Sequence, residues 1–130
     1  MEQPNPQTLR VLVAEDNPVN QQLVMELLQM RGHSVQLAGN GFAVLAALDR
    51  EAYDVILMDA EMPEMDGFQT TAVIREREKN SGKHVPIIAL TGLATPTDRE
   101  RCLAAGMDGY LTKPIRAKEL FEAVELFPER

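Results

Sequence analysis

Five short β-prone runs alternate with five stretches of helical periodicity, and this alternation constrains the fold more than any other feature of the chain. The runs are residues 9–14 (LRVLVA), 33–38 (HSVQLA), 53–58 (YDVILM), 85–90 (VPIIAL) and 109–112 (GYLT). After the first, Pro18 suits an opening helical turn. Val19, Leu23, Val24, Leu27 and Leu28 then recur at helical spacing, and Gly32 ends the helix. Further helices are expected over 42–50, 68–79, 97–105 and 116–127, the last with Leu120, Phe121 and Val124 on its inner face. Strict β–α alternation calls for a parallel sheet with helices on both faces. The third run is apolar enough to be buried on both sides.

Right-handed crossovers and short links leave few ways to order such strands. The expected arrangement is the α/β doubly wound order 2-1-3-4-5 of a flavodoxin-like (βα)5 fold. The 130 residues fit one domain. Residues 9–127 form it, residues 1–8 (MEQPNPQT) read as a tail or linker end, and 128–130 as a C-terminal tail. The single cysteine, Cys102, allows no intrachain disulfide, which suits a reducing, cytoplasmic setting. No apolar run reaches the roughly 18–20 residues that span a bilayer, and no signal peptide opens the chain. The formal charge of −7 argues against nucleic acid as a direct partner, because duplex binding depends on Lys and Arg neutralising phosphates.

In open α/β sheets, sites form beyond the carboxyl ends of the strands, at the switch point between the first and third. Glu15 and Asp16 follow the first strand and Asp59 the third; the fourth leads into Thr91 and the fifth into Lys113 and Pro114. Three carboxylates from neighbouring strand ends would repel and raise one another's pKa values. A divalent cation resolves that conflict, and hard oxygen donors suit magnesium, manganese or calcium rather than zinc. A carboxylate beside such a metal can act as a nucleophile and form an aspartyl phosphate. Asp59, ending the most buried strand, is the candidate, with Lys113 neutralising phosphoryl oxygens and Thr91 offering a hydroxyl. Taken singly, each residue has a plainer reading: a turn or cap for Glu15-Asp16, a loop hydroxyl for Thr91, a solvated lysine before a strand-ending proline for Lys113. All five falling at the correct strand ends is a coincidence that the plainer readings do not explain together.

Glu15-Asp16-Asn17, Asp59 with Met62-Pro63-Glu64-Met65-Asp66-Gly67, Thr91-Gly92 and Lys113-Pro114 together resemble the receiver (response-regulator) family of two-component signalling. The resemblance covers about residues 10–126. It implies that Asp59 accepts a phosphoryl group from a phosphohistidine on a histidine kinase or histidine phosphotransfer domain. It further implies that Glu15, Asp16, Asp59 and the backbone carbonyl of Glu61 hold Mg2+, with Mn2+ as an alternative. Lys113 and Thr91 contact the phosphoryl, the Lys113–Pro114 bond is cis, and Tyr110 is the aromatic switch residue. The face formed by the fourth helix, fifth strand and fifth helix is the output, through which such domains also form homodimers. Glu61 and Gly92, beside the phosphoryl, imply a phosphorylated lifetime that differs from other receivers.

The segment Glu15-Asp16-Asn17-Pro18-Val19-Asn20 and the proline-bearing start resemble receivers fused to hybrid sensor histidine kinases, which places the domain in the cytoplasmic part of such a sensor. A stand-alone response regulator is the alternative. Two other functions compete: a phosphohydrolase with an aspartyl nucleophile, in which Glu61 would take the acid/base position, and a receiver fold used only for binding.

Overall fold

The computed structural model of the chain describes residues 8–92 and 95–125. Five parallel strands, β1 (Arg10–Ala14), β2 (Ser34–Ala38), β3 (Val55–Asp59), β4 (Ile87–Thr91) and β5 (Gly109–Thr112), lie in the order β2-β1-β3-β4-β5. Between and after them run α1 (Pro18–Met30), α2 (Gly41–Arg50), α3 (Gly67–Glu78), α4 (Pro96–Ala105) and α5 (Ala117–Glu125). The doubly wound order expected from the alternation is the one observed. Residues 1–7 of the tail assigned to 1–8, the helix end at 126–127 and the tail at 128–130 lie outside the described residues.

Strand residues alternate between two cores, as the pleat requires. Leu12, Ala14, Ile56, Met58, Ile87 and Ala89 face α2, α3 and α4. Val11, Val13, Val55, Leu57, Ile88 and Leu90 face α1 and α5 through Val24, Leu28, Leu120 and Val124. All five residues of β3 are buried, so its last residue, Asp59, is carried to the floor of whatever lies at the strand's end.

Element boundaries differ from expectation for local chemical reasons. The fourth strand begins at Ile87, not 85: the Val85 N–H donates to the Glu78 side chain and Pro86 has no N–H to give. The third begins at Val55, and the Asp54 side chain instead accepts from the Arg10 backbone N–H. The second begins at Ser34, because the His33 N–H closes the end of α1 on Leu28 O. α4 starts one residue early, with Thr95 as N-cap and Pro96 in the first turn.

The helical spacing of α1 misplaces part of its face. Val24 and Leu28 are buried, but Val19 is 74% exposed and Leu23 40% exposed. Phe42, expected in an apolar helix, is exposed at the start of α2, and Phe121 is only half-buried, beneath the Arg31 guanidinium. Helix α4 has one buried residue, Cys102, so little apolar packing holds it down.

Candidate functional site

Glu15 follows β1, and its carboxylate turns back onto the next helix. Glu15 Oε2 accepts from the Asn17 N–H at 3.1 Å, and Asn17 in turn caps α1 by accepting from the Val19 and Asn20 N–H groups. Glu15 is fully buried. Asp59 is 4% exposed; its Oδ1 accepts from the Glu61 N–H at 3.0 Å and its Oδ2 from Lys113 Nζ at 3.1 Å. Asp16 is exposed beside them, and carboxylate oxygens of Glu15, Asp16 and Asp59 lie within 4.8 Å of one another.

Two backbone features hold the floor in place. Gly67, the first residue of α3, packs so closely on the Asp59 carbonyl that a Cβ there would collide with backbone. The Lys113 N–H donates to Thr91 O at 2.8 Å, which joins the ends of β4 and β5, and the Lys113–Pro114 bond is cis as the resemblance implied.

The charges are not balanced. Lys113 Nζ lies 3.3 Å from Glu15 Oε1, close enough for attraction, yet that oxygen is buried without a hydrogen bond among the described residues. Burial pushes the Glu15 carboxyl above its usual range, and the Asp59 charge pushes it further, against the Asn17 N–H and Lys113. Burial alone would depress the Lys113 ammonium; its hydrogen bond to Asp59 and the charges of Asp59 and Glu15 outweigh that and raise it. Three carboxylates and one ammonium leave a net-anionic cluster whose candidate metal donors are all oxygens. A hard divalent cation would complete this Glu15 oxygen, which has the Lys113 ion pair but no hydrogen bond among the described residues, directly or through a water, so the donor set fits magnesium.

The site opens into a cleft of about 860 Å³ that contains Glu15, Asp16, Asp59, Glu61, Thr91 and Lys113. The sequence-predicted residues thus come together, with Tyr110 as the exception. Tyr110 sits outside the cleft lining, half-buried on β5, under the Arg99 guanidinium at 5.4 Å from its ring centroid. Among the cleft residues that sequence reasoning missed are Phe68 on α3, and Asp98 and Arg101 on α4. The Arg101 guanidinium lies 4.4 Å from the Phe68 ring centroid, a pairing between helices that no local pattern announces.

Residues 11–125 match the response regulator receiver domain family. The chain belongs to that family. It is 44% identical over 120 residues to hybrid signal transduction histidine kinase I of Dictyostelium discoideum, covering 88% of this chain and 7% of that protein. It is 43% identical over 116 residues to the sensor histidine kinase GacS of Pseudomonas protegens, covering 88% of this chain and 13% of that protein. The receiver therefore spans only a small part of the relatives it matches, and it is homologous to the receiver regions of hybrid kinases.

Among solved structures it is similar to the receiver domain of sensor histidine kinase PA1611 from Pseudomonas aeruginosa, with TM-score 0.81, 42% identity and coverage of 91% and 95% of the two chains. That structure holds a magnesium ion coordinated in its active-site cleft. The receiver of Ssk1 from Saccharomyces cerevisiae, in complex with the histidine phosphotransfer protein Ypd1, matches with TM-score 0.84, 29% identity and coverage of 90% and 86%.

Proposed function

We propose that Asp59 accepts a phosphoryl group from a phosphohistidine on a histidine kinase or histidine phosphotransfer domain. In this reading Mg2+ (or Mn2+) is held by Glu15, Asp16, Asp59 and the Glu61 carbonyl. The observation that carries it is the Glu15–Asp59–Lys113 cluster, in which a buried carboxylate oxygen has no hydrogen bond among the described residues while Lys113 already contacts the candidate nucleophile. An Asp59 oxygen attacks phosphorus, the P–N bond of the donor breaks, and the imidazole leaves with the electron pair. Lys113 Nζ and the Thr91 hydroxyl donate to phosphoryl oxygens as charge accumulates there. A bound divalent cation supplies charge neutralisation at the same oxygens. No general base is needed, because the nucleophile is a carboxylate.

The exposed Val19 and Leu23 on α1 adjoin Asn17 and Asn20 of the cleft wall, and an apolar surface beside the acceptor supports docking of a helical phosphotransfer partner there. Thr91 and Tyr110 then carry the added charge to the α4–β5–α5 face, which serves as output and self-association surface. Weak apolar packing of α4 and the Arg99 contact to Tyr110 support a movable element at that face. The similarity to hybrid kinases supports an origin in such a protein, on its cytoplasmic side; a stand-alone regulator would use the same chemistry. Among the described residues no helix is long and apolar enough to cross a membrane.

The domain by itself performs one phosphorylation event and its reversal rather than turnover of a substrate. The test is incubation with a phosphorylated histidine phosphotransfer domain and Mg2+, read by intact mass. One phosphoryl group on the wild type and none on Asp59→Asn is the expected result. Continuous release of phosphate from a small phosphate ester would favour the phosphohydrolase instead.

A further inference from the structure

Arg101 is a cation with no ion pair or hydrogen bond among the described residues, on a chain of net charge −7. Its recorded contact is the face of Phe68, 4.4 Å from the ring centroid. Both side chains line the cleft that holds Asp59, Thr91 and Lys113. The strand order puts α3 and α4 on the β3–β4–β5 side of that cleft, while Glu15 and Asp16 occupy the β1 side. The metal-binding carboxylates and the unpaired guanidinium therefore belong to opposite walls, with Asp59 on the floor between them.

Lys113 already contacts Asp59, and Thr91 ends the neighbouring strand, so phosphoryl oxygens have their donors close to the floor. Displacement at phosphorus is in line, and the group leaving phosphorus departs away from Asp59, toward the cleft mouth. A planar guanidinium on the wall there matches a departing carboxylate, which it can grip through two parallel N–H donors. The Phe68 ring holds the guanidinium beside the opening without neutralising it, because a cation over an aromatic face keeps its N–H edge free.

We propose that Arg101 is a specificity-determining residue that favours small acyl phosphates as phosphodonors by stabilising their leaving carboxylate. This rests on the reading of Asp59 as phosphoacceptor. In the step, an Asp59 oxygen forms the new O–P bond and the acyl O–P bond breaks. The carboxylate leaves with the electron pair, and no proton moves. A phosphoramidate donor breaks a P–N bond and releases neutral ammonia, which offers Arg101 no charge to hold. The acidic Glu61 and Asp98, which line the same cleft, would otherwise repel a departing carboxylate. Arg101 offsets that local repulsion.

The experiment compares acetyl phosphate with phosphoramidate in Mg2+, for wild type, Arg101→Gln, Arg101→Lys and Asp59→Asn, by the rate of phosphorylation. Arg101→Gln is expected to lower the acetyl phosphate to phosphoramidate rate ratio roughly fivefold, the upper size for a solvent-exposed ion contact. Arg101→Lys should recover part of that ratio, and the wild-type ratio should fall with added salt more steeply than the Arg101→Gln ratio. Equal slowing with both donors would mean that Arg101 only supports the helix, and an unchanged ratio would mean that it does not meet the leaving group; either overturns the proposal. Failure of the wild type to be phosphorylated by both donors would instead overturn the acceptor reading itself.

Discussion

The two ends of the sheet carry the same kinds of side chain in opposite states. At the strand starts, Arg75 of α3 donates through Nε to Gly106 O, through Nη1 to Glu78 and Val85 O, and through Nη2 to Asp108. Asp108 Oδ2 also accepts from the Ile87 N–H, and its Oδ1 meets His84 Nε2 at 2.7 Å. At the carboxyl ends, Glu15 and Asp59 share the Lys113 ammonium, Asp16 lies beside them, and a buried Glu15 oxygen has no hydrogen bond among the described residues. Cleft size does not distinguish the ends: the strand-start side has one of about 840 Å³, lined by Tyr53, His84 and Pro86 among others, against about 860 Å³ at the site. Satisfaction of the buried charges does. A completed network stabilises the fold; an incomplete one, built from converging carboxylates, marks a candidate functional site.

A third cluster sharpens the contrast. Glu125 receives the Arg31 guanidinium and meets His33 Nε2 at 2.8 Å, while His33 Nδ1 accepts from the Leu9 N–H, so the ends of α1 and α5 are tied to the start of β1. The Arg31 hydrogen bond holds the Glu125 carboxyl below its ordinary range, against its partial burial and with help from His33. Glu15 is shifted the other way. One end stabilises its carboxylate in the charged form, and the other strains it.

If that contrast is correct, Arg75→Met should cost about 3 kcal/mol of stability, because Asp108 and Glu78 lose the guanidinium that compensates them. Denaturant unfolding checks this, and the Mg2+ affinity of the folded protein should stay close to wild type. Glu15→Gln should do the reverse. Mg2+ affinity, from titration followed by NMR, should fall about 10- to 100-fold, while the metal-free protein becomes more stable at neutral pH by removal of a disfavoured charge. The smallest effect concerns acid. Glu125 has a lowered folded pKa, so its contribution is present above the unfolded value of 4.5 and is lost as pH falls below it through the folded value. Glu125→Gln should therefore flatten the loss of stability below about pH 4.5, as measured by urea unfolding in chelator across pH. An unaltered acid limb would remove Glu125 from the account.

The convergence of the candidate site residues was legible in the chain because they sit at fixed offsets from strand ends, and strand ends follow from hydrophobic patterning. Asp59 needed only the apolar run before it. The Arg75 network left no such trace: Gly106, Val85 and Asp108 are far from Arg75 in sequence and meet it only through the packing of α3 against α4 and β5. The same holds for Arg101 and Phe68. Val19 and Leu23 misled for a different reason. Period 3.6 identifies a helix and its stripe, but the width of the stripe actually covered depends on where β1, β2 and α5 lie. The β4 start was hidden because Val85 and Pro86 read as strand until the Glu78 side chain claims the Val85 N–H.

At the unsatisfied end, Asp59 is expected to act as a phosphoacceptor coupled to β5. The most direct measurement is the amide NMR spectrum of wild type and Asp59→Asn with Mg2+, before and after addition of beryllofluoride, a phosphoryl mimic. The account predicts shifts at Thr91, Tyr110 and α4 in the wild type that are absent in Asp59→Asn, with the Arg75 and Glu125 regions little changed. No Mg2+-dependent response in the wild type, or the same response in both proteins, would contradict it.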